Sequence, residues 1–131
     1  MSESLDVEKV KTYLRGFAKE RDREQFHTPK NLVMALAGEV GELTEIFQWL
    51  TPEESVRIMK DTEKGEAVWQ ELADVLQYVI RLSDVLGIDI EQALWKKLTS
   101  FLNRPDPTHP PPAWAPPPVR VRDVPQIFTL R

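Results

Sequence analysis

The stretch NLVMALAGEVGELTEIFQWL, residues 31–50, carries the pattern that decides the fold. Its apolar residues recur every three or four positions, which predicts an amphipathic α-helix. On a helical wheel with about 100° per residue, Leu32, Leu43 and Ile46 lie within roughly 40° of Glu39. Glu42 lies about 60° to one side of that direction. Glu39 is therefore central on an apolar stripe, where a core residue is expected.

A second stretch, ELADVLQYVIRLSDVLG at residues 71–87, repeats this design. Val75, Tyr78 and Leu82 lie within roughly 40° of Glu71 on the wheel, and Asp74 lies about 60° to one side. Each of the two predicted helices thus has an acid central on its apolar face and a second acid one turn later.

Four carboxylates on buried faces need an explanation, because burying a single unpaired carboxylate costs several kcal/mol. The acids could take up protons, pair with basic residues, or bind a divalent cation between the helices. One or two of them could also lie at the edge of the stripe and reach water. Since two such pairs are each centred on an apolar face, we favour a cation site. Hard oxygen ligands suit Mg²⁺, with Mn²⁺ as a substitute. The predicted ligands are Glu39, Glu42, Glu71 and Asp74.

The remaining segments predict further helices and no strand, since no stretch alternates with a period of two. The expected fold is all-α, a four-helix-bundle type with a short extra helix. A first helix is predicted over 5–24, and a second helix begins after the cap Thr28 and extends to Leu50. A short helix follows from Thr51, with Glu54 in a capping box, and a polar connection over 61–65 comes next. A third helix covers about 66–86 and ends at Gly87, and a fourth begins after the cap Asp89 and reaches about Leu102.

Nine of the eleven prolines fall at or after Pro105, which predicts a helical domain over 1–104 and a proline-rich tail over 105–131. The segment HPPPAWAPPP favours extended polyproline structure. The apolar residues of the following VRVRDVPQIFTLR leave two interpretations open. The tail is either a disordered end or an arm that packs on the body or on a neighbouring subunit.

Composition excludes several classes of function. The formal net charge of −4 argues against a nucleic acid polymer as a partner. The absence of cysteine excludes disulfides, thiolate metal sites and a cysteine nucleophile, and it fits a reducing cytoplasm. No apolar run approaches the roughly 20 residues of a membrane span, and MSESLDVEK does not have the pattern of a secretory signal. We therefore expect a cytoplasmic protein that does not bind membranes.

EVGE at 39–42 followed by ELAD at 71–74 resembles the ExxE…ExxD motif of the MazG-like nucleotide pyrophosphatases, an all-α superfamily. The similarity covers roughly residues 10–98 and is greatest to the dCTP pyrophosphatase branch. It implies that the four acids are both metal ligands and catalytic residues. The implied reaction is Mg²⁺-dependent hydrolysis of a nucleoside triphosphate, dCTP-like by preference, to the monophosphate and pyrophosphate in nucleotide-pool housecleaning. It also implies a homo-oligomer, a tetramer rather than a dimer, with sites at subunit interfaces.

The resemblance also assigns substrate-binding positions. Taken alone, His27 is as easily a cap or packing residue, and Trp49 and Tyr78 are as easily core residues. Lys30 and Asn31 open a predicted helix, whose N-terminus favours phosphate. The full set that the resemblance implies is His27, Lys30, Asn31, Trp49, Tyr78, Lys97 and Asn103.

Two departures from the dCTP branch leave the preferred base open. Arg23 stands where that branch commonly has an aromatic residue that could stack on the base. Near the end of the similar region, Phe101 follows Lys97 at the spacing where the family has an asparagine, and Asn103 is displaced by two residues.

Two rival functions remain at this point. A di-metal carboxylate bundle of other chemistry would require Glu-x-x-His pairs, and neither histidine has that spacing. A non-catalytic helical oligomer that binds a partner through its apolar faces would have no reason to place four acids inward.

Overall fold

A computed structural model of the chain describes residues 4–102. Within this range the structure contains five α-helices and no strand, which confirms the all-α prediction. The helices are α1 (Val7–Glu20), α2 (Pro29–Phe47), α3 (Pro52–Val56), α4 (Thr62–Val85) and α5 (Ile90–Leu102), with 3₁₀ turns at Glu24–Phe26 and Ile58–Lys60. The predicted tail over 105–131 and Asn103 lie outside the described residues.

Three predicted helix starts are confirmed by the hydrogen bonds that cap them. The Thr28 hydroxyl accepts a bond from the backbone N–H of Asn31 at 3.2 Å. Thr51 and Glu54 form the reciprocal bonds of a capping box, at 3.1 and 3.2 Å. Asp89 accepts from the N–H of Gln92 at 3.0 Å and so caps α5. Such caps are predictable because both partners lie within four residues of sequence.

The ends of the first two helices were predicted too late. α1 ends at Glu20 rather than at residue 24, because Asp22 adopts a φ of 53°, in the left-handed region that an α-helix cannot contain. A 3₁₀ turn then precedes His27. α2 ends at Phe47, three residues before the predicted Leu50.

The prediction of a polar connection over 61–65 was wrong, because these residues form the start of α4. The Asp61 carboxylate caps the helix by accepting from the N–H of Lys64 at 3.0 Å. Gly65 is buried, and a Cβ at this position would lie 3.3 Å from the Cα of Met59. The glycine therefore permits a close approach of the preceding 3₁₀ turn to α4 and does not interrupt the helix.

α2 and α4 form an antiparallel pair at the centre of the fold. Leu32, early in α2, lines a cavity with Tyr78 late in α4, whereas Ile46, late in α2, lines another with Ala67 early in α4. The largest fully buried side chains, Leu32 and Ile80, belong to these two helices, and each is 2% exposed. Glu39 and Glu71, near the middle of the pair, are thereby brought opposite each other.

α1 is attached to the C-terminal half of α4 by charged groups. The Arg15 guanidinium donates two bonds to the Asp84 carboxylate, one of them from Nε at 2.6 Å. The buried Lys11 ammonium donates to the Ile88 carbonyl at 3.3 Å, just beyond the end of α4. After Ile88 the chain divides into two compact units, the first with α1–α4 and the second with α5. No helix among residues 4–102 has the length and apolar content of a membrane span.

Candidate metal centre

Three of the four predicted acids converge between α2 and α4. One carboxylate oxygen each of Glu39, Glu42 and Glu71 lies within 4.8 Å of the other two. Glu39 and Glu71 are half-buried, and Glu42 is exposed at the edge of the cluster. The convergence follows from sequence in two steps: the one-turn spacing puts Glu39 and Glu42 on neighbouring positions of α2, and the antiparallel pairing puts Glu71 across from them.

Asp74 lies one turn after Glu71 and is half-buried, but it is not in the group of three acids within 4.8 Å. Its charge nevertheless raises the pKa of both Glu39 and Glu71, so it lies near enough to repel them. The four acids are thus close enough to influence one another's charge, and Asp74 is the most distant of them.

The pKa values of Glu39 and Glu71 both lie above the ordinary value for glutamate. Burial is the largest cause at each carboxyl group. The charges of Glu42 and Asp74 add to it at Glu39, and those of Glu42 and Glu39 add to it at Glu71. The charges of these neighbours disfavour the ionised form and outweigh the hydrogen bond with Glu71, which by itself lowers the pKa of Glu39, so the cluster takes up positive charge readily, as a proton or as a cation.

The donor atoms fit a hard divalent cation. The Oε2 atom of Glu71 is buried without a hydrogen-bond partner, which is costly for a carboxylate oxygen unless a ligand satisfies it. None of the ion pairs among residues 4–102 includes one of the four acids, so no basic residue in that range neutralises them. Carboxylate oxygens at this spacing are suited to Mg²⁺ or Mn²⁺.

One open cavity of about 460 Å³ lies beside the N-terminal half of α2. It brings together three of the predicted substrate-binding residues, His27, Asn31 and Tyr78. Arg21 and Arg23 also line it and bring positive charge to its wall. The cavity combines hydrogen-bonding groups with the positive charges of two arginines and the negative charge of Asp22, and none of the four cluster acids lines it.

A second open cavity, of about 630 Å³, lies beside the other end of the helix pair. Glu42 and Glu71 line it directly, together with Trp49 and Lys64. The Trp49 side chain is 86% exposed. Within one chain, therefore, Trp49 lies at a different cavity from His27, Asn31 and Tyr78.

Two of the remaining predicted residues lie elsewhere. Lys30 is exposed in the first turn of α2 and lines neither cavity. Lys97 is exposed on α5, in the second compact unit.

Sequence reasoning missed Arg81, which contacts a predicted site residue. Arg81 Nε donates to Nδ1 of His27 at 3.1 Å, and Arg81 Nη1 donates to Asp84 at 3.3 Å. The sequence did contain a pattern that could have identified it, because Arg81 and Asp84 are charged residues one turn apart in a mostly apolar part of α4. Lys64 was missed because the polar sequence around it favours a connection between helices.

Comparison with known proteins gives one consistent family. The sequence model of the MazG-like family matches residues 35–106. The chain is 41% identical over 107 residues to dCTP pyrophosphatase 1 of Mus musculus, covering 75% of this chain and 58% of that protein. It is 41% identical over 92 residues to dCTP pyrophosphatase 1 of Homo sapiens, covering 70% of this chain and 54% of that one. The chain thus spans little more than half the length of these relatives.

The fold is also that of a solved relative. A pyrophosphatase from Archaeoglobus fulgidus superposes with a TM-score of 0.68 at 33% identity, covering 77% of this chain and 93% of the other. The family match includes all four acids of the cluster and more than half of the chain. The chain therefore belongs to the MazG-like family.

Proposed function

We propose that this protein is a metal-dependent nucleotide pyrophosphatase that hydrolyses a nucleoside triphosphate to the monophosphate and pyrophosphate. The observation that carries the proposal is the cluster of Glu39, Glu42 and Glu71 within 4.8 Å, with an unpartnered oxygen on Glu71. The relatives named dCTP pyrophosphatase 1 make dCTP the first candidate substrate. The proposed role is housecleaning of the nucleotide pool in the cytoplasm.

The acids of the cluster have two tasks in this proposal. Glu39, Glu42 and Glu71 would hold Mg²⁺, or Mn²⁺ in its place, and Asp74 would complete the set from its outlying position. The bound cation would orient the phosphates and neutralise their charge. One carboxylate of the cluster would accept a proton from the water that attacks the α-phosphorus, while the bond to the bridging oxygen of the β-phosphate breaks.

The cavity at His27 is the proposed place for the base and sugar. His27, Asn31 and Tyr78 offer hydrogen-bonding groups there, and Leu32 supplies an apolar wall. The phosphates would extend from it along α2 towards the acids. Trp49 lies at the other cavity of the same chain, so it would meet the base only from a second subunit. Lys30, Lys97 and Asn103 stay predicted phosphate or substrate contacts on the resemblance alone.

Exposed apolar side chains support a homo-oligomer. Trp69, Leu72 and Leu76 of α4 are 70%, 53% and 44% exposed and follow helical spacing, so they form one stripe. Val33, Met34 and Val40 of α2 are also exposed. Contiguous apolar surface of this kind marks an interaction site. We propose that it packs against a second copy of the chain, in a tetramer rather than a dimer.

The direct test is release of pyrophosphate from a panel of deoxy- and ribonucleoside triphosphates with Mg²⁺ and with Mn²⁺. We expect turnover that requires the cation, with dCTP or a modified dCTP among the best substrates. If none of the nucleotides released pyrophosphate with either cation, the enzyme proposal would be abandoned. A non-catalytic helical oligomer would then be favoured by the exposed apolar faces.

A further inference from the structure

Four charged or polar side chains form a continuous chain from α1 to the first cavity. Arg15 on α1 donates two bonds to Asp84 on α4. Asp84 also accepts a bond from Arg81, one turn earlier on the same helix, at 3.3 Å. Arg81 in turn donates from Nε to Nδ1 of His27 at 3.1 Å. The Asp84 and Arg81 side chains are largely shielded from solvent, at 10% and 12% exposure.

This connection determines where His27 carries its proton. A guanidinium stays protonated in proteins and its Nε can only donate a hydrogen bond. Nδ1 of His27 must therefore offer a lone pair to Arg81. An imidazole with a lone pair on Nδ1 carries its single proton on Nε2. The ring thus has one defined donor, Nε2–H, and it lines the cavity with Asn31 and Tyr78.

The charges around His27 favour the neutral ring. Burial is the largest cause that lowers the pKa of His27, and the charges of Arg81 on α4 and Arg23 in the preceding turn add to it. The carboxylate of Asp84 binds both Arg15 and Arg81. Its negative charge is therefore neutralised by these two arginines and does little to stabilise a protonated His27. Asp22 and Arg21 line the same cavity and carry opposite charges.

We propose that Arg81 is a positioning residue that fixes the proton of a neutral His27 on Nε2, so that the cavity presents a hydrogen-bond donor to an acceptor atom of the nucleotide. The acceptor class is a carbonyl oxygen, a ring nitrogen with a lone pair, or a sugar oxygen. This inference rests on the proposed function for the identity of the ligand. The tautomer and protonation state of His27 can be measured without any ligand.

The first experiment is NMR of the ¹⁵N-histidine-labelled full chain. The sequence has only two histidines, so His109→Gln assigns the His27 signals. We expect the Nε2–H form in the wild type, with a pKa below that of free histidine. Arg81→Met should give mixed tautomers and a higher pKa, and Arg81→Lys, which keeps a cationic donor, should restore part of the Nε2–H population. Arg57→Met, at an exposed arginine on neither cavity, is the control for loss of one charge.

The second experiment compares KM and kcat across pH for the best nucleotide substrate. In Arg81→Met, KM should rise about 2- to 5-fold at pH near 8, because the apparent affinity falls with the fraction of rings in the Nε2–H form, with kcat unchanged. The ratio of variant to wild-type KM should shrink as pH falls through the imidazole pKa, because a protonated ring always carries a proton on Nε2. A KM ratio that does not change with pH, or a loss confined to kcat, contradicts the positioning role.

These experiments separate the two proposals. A wild-type spectrum with the proton on Nδ1 overturns the role of Arg81 even if the enzyme is active, and this result does not require the variant to fold. If no nucleotide is hydrolysed, the proposed function fails. The NMR comparison then decides by itself whether Arg81 fixes the state of His27.

Discussion

Glu71 combines two features that rarely persist together without a ligand. Its Oε2 atom has no hydrogen-bond partner among the described residues, and burial with two neighbouring glutamates raises its pKa. A carboxyl group whose pKa is raised in the folded state binds its proton more tightly there than in the unfolded chain. Its contribution to stability is therefore present at low pH and is lost as pH rises through the raised value. The same sign holds for Glu39.

We expect Glu39→Gln and Glu71→Gln to raise the melting temperature of the cation-free protein at pH near 8, because each removes a repelling charge. The difference from the wild type should vanish at pH near 4, where the carboxyl groups are protonated. The melting temperatures can be measured by circular dichroism in the presence of a chelator over a range of pH. Glu66→Gln is the matched control, since Glu66 is an exposed acid on the same helix. A lower melting temperature of both variants at high pH would contradict the repulsion.

The same two substitutions should lower the Mg²⁺-dependent rate of pyrophosphate release. Charge stabilisation by a bound cation is worth several kcal/mol, so loss of a ligand should cost on the order of 100-fold or more in kcat. Added Mg²⁺ should raise the melting temperature of the wild type and do so far less in the variants. Activity that survives in both variants would move the metal site away from this cluster.

At the scale of the element, Gly65 tests how α4 begins. In an open helix, replacing glycine by alanine stabilises by about 0.5–1 kcal/mol. A Cβ added at Gly16 in α1 would meet no packing neighbour within 4 Å, so Gly16→Ala should show this gain. At Gly65 the added Cβ would lie 3.3 Å from backbone Met59, so Gly65→Ala should show no gain or a loss. Urea unfolding measures both, and equal gains would show that the contact is not tight.

The attachment of α1 to α4 depends on the ionised form of Asp84. The bonds from Arg15 are the largest cause that lowers the pKa of this carboxyl, so its stabilising contribution is present above the ordinary aspartate pKa of 3.8 and is lost as pH falls through the lowered value. Asp84→Asn should reduce the free energy of unfolding by about 1.5–3 kcal/mol at neutral pH. The loss should disappear in strong acid. A double-mutant cycle with Arg15→Met, followed by urea unfolding, isolates the pair, and a coupling near zero would contradict it.

Features determined by residues close together in the sequence were predicted correctly, and features that depend on residues far apart in the sequence were missed. Caps such as Thr28 and Asp89 were predicted because donor and acceptor lie three residues apart. The convergence of Glu39, Glu42 and Glu71 was predicted because helical periodicity fixes which face each occupies, whereas Asp74 was predicted with them and lies outside the group. The contact between Arg81 and His27 was not predicted, since 54 residues separate the partners and only the packing of α4 joins them. Gly65 misled the prediction because a glycine that breaks a helix and one that permits close packing have the same local sequence.

At the scale of the whole molecule, the exposed stripe on α4 should hold copies of the chain together. A charged residue at Leu72 or Leu76 would be desolvated in such an interface at a cost of several kcal/mol. We therefore expect Leu72→Glu to shift the protein towards the monomer in light scattering. Val56→Glu is the control, because Val56 is more exposed and lies outside the stripe. If both variants keep the wild-type mass, α4 does not form the interface.

The hydrogen-bond network that connects Arg15 to His27 also has a consequence for how these positions vary within the family. Asp84 is the carboxylate partner of two arginines, Arg15 and Arg81. Loss of Asp84 would leave Arg81, whose side chain is 12% exposed, without a carboxylate partner, whereas loss of either arginine leaves the other paired with Asp84. Among members of the MazG-like family, position 84 should therefore keep its carboxylate wherever position 81 is an arginine, while position 15 should vary more freely.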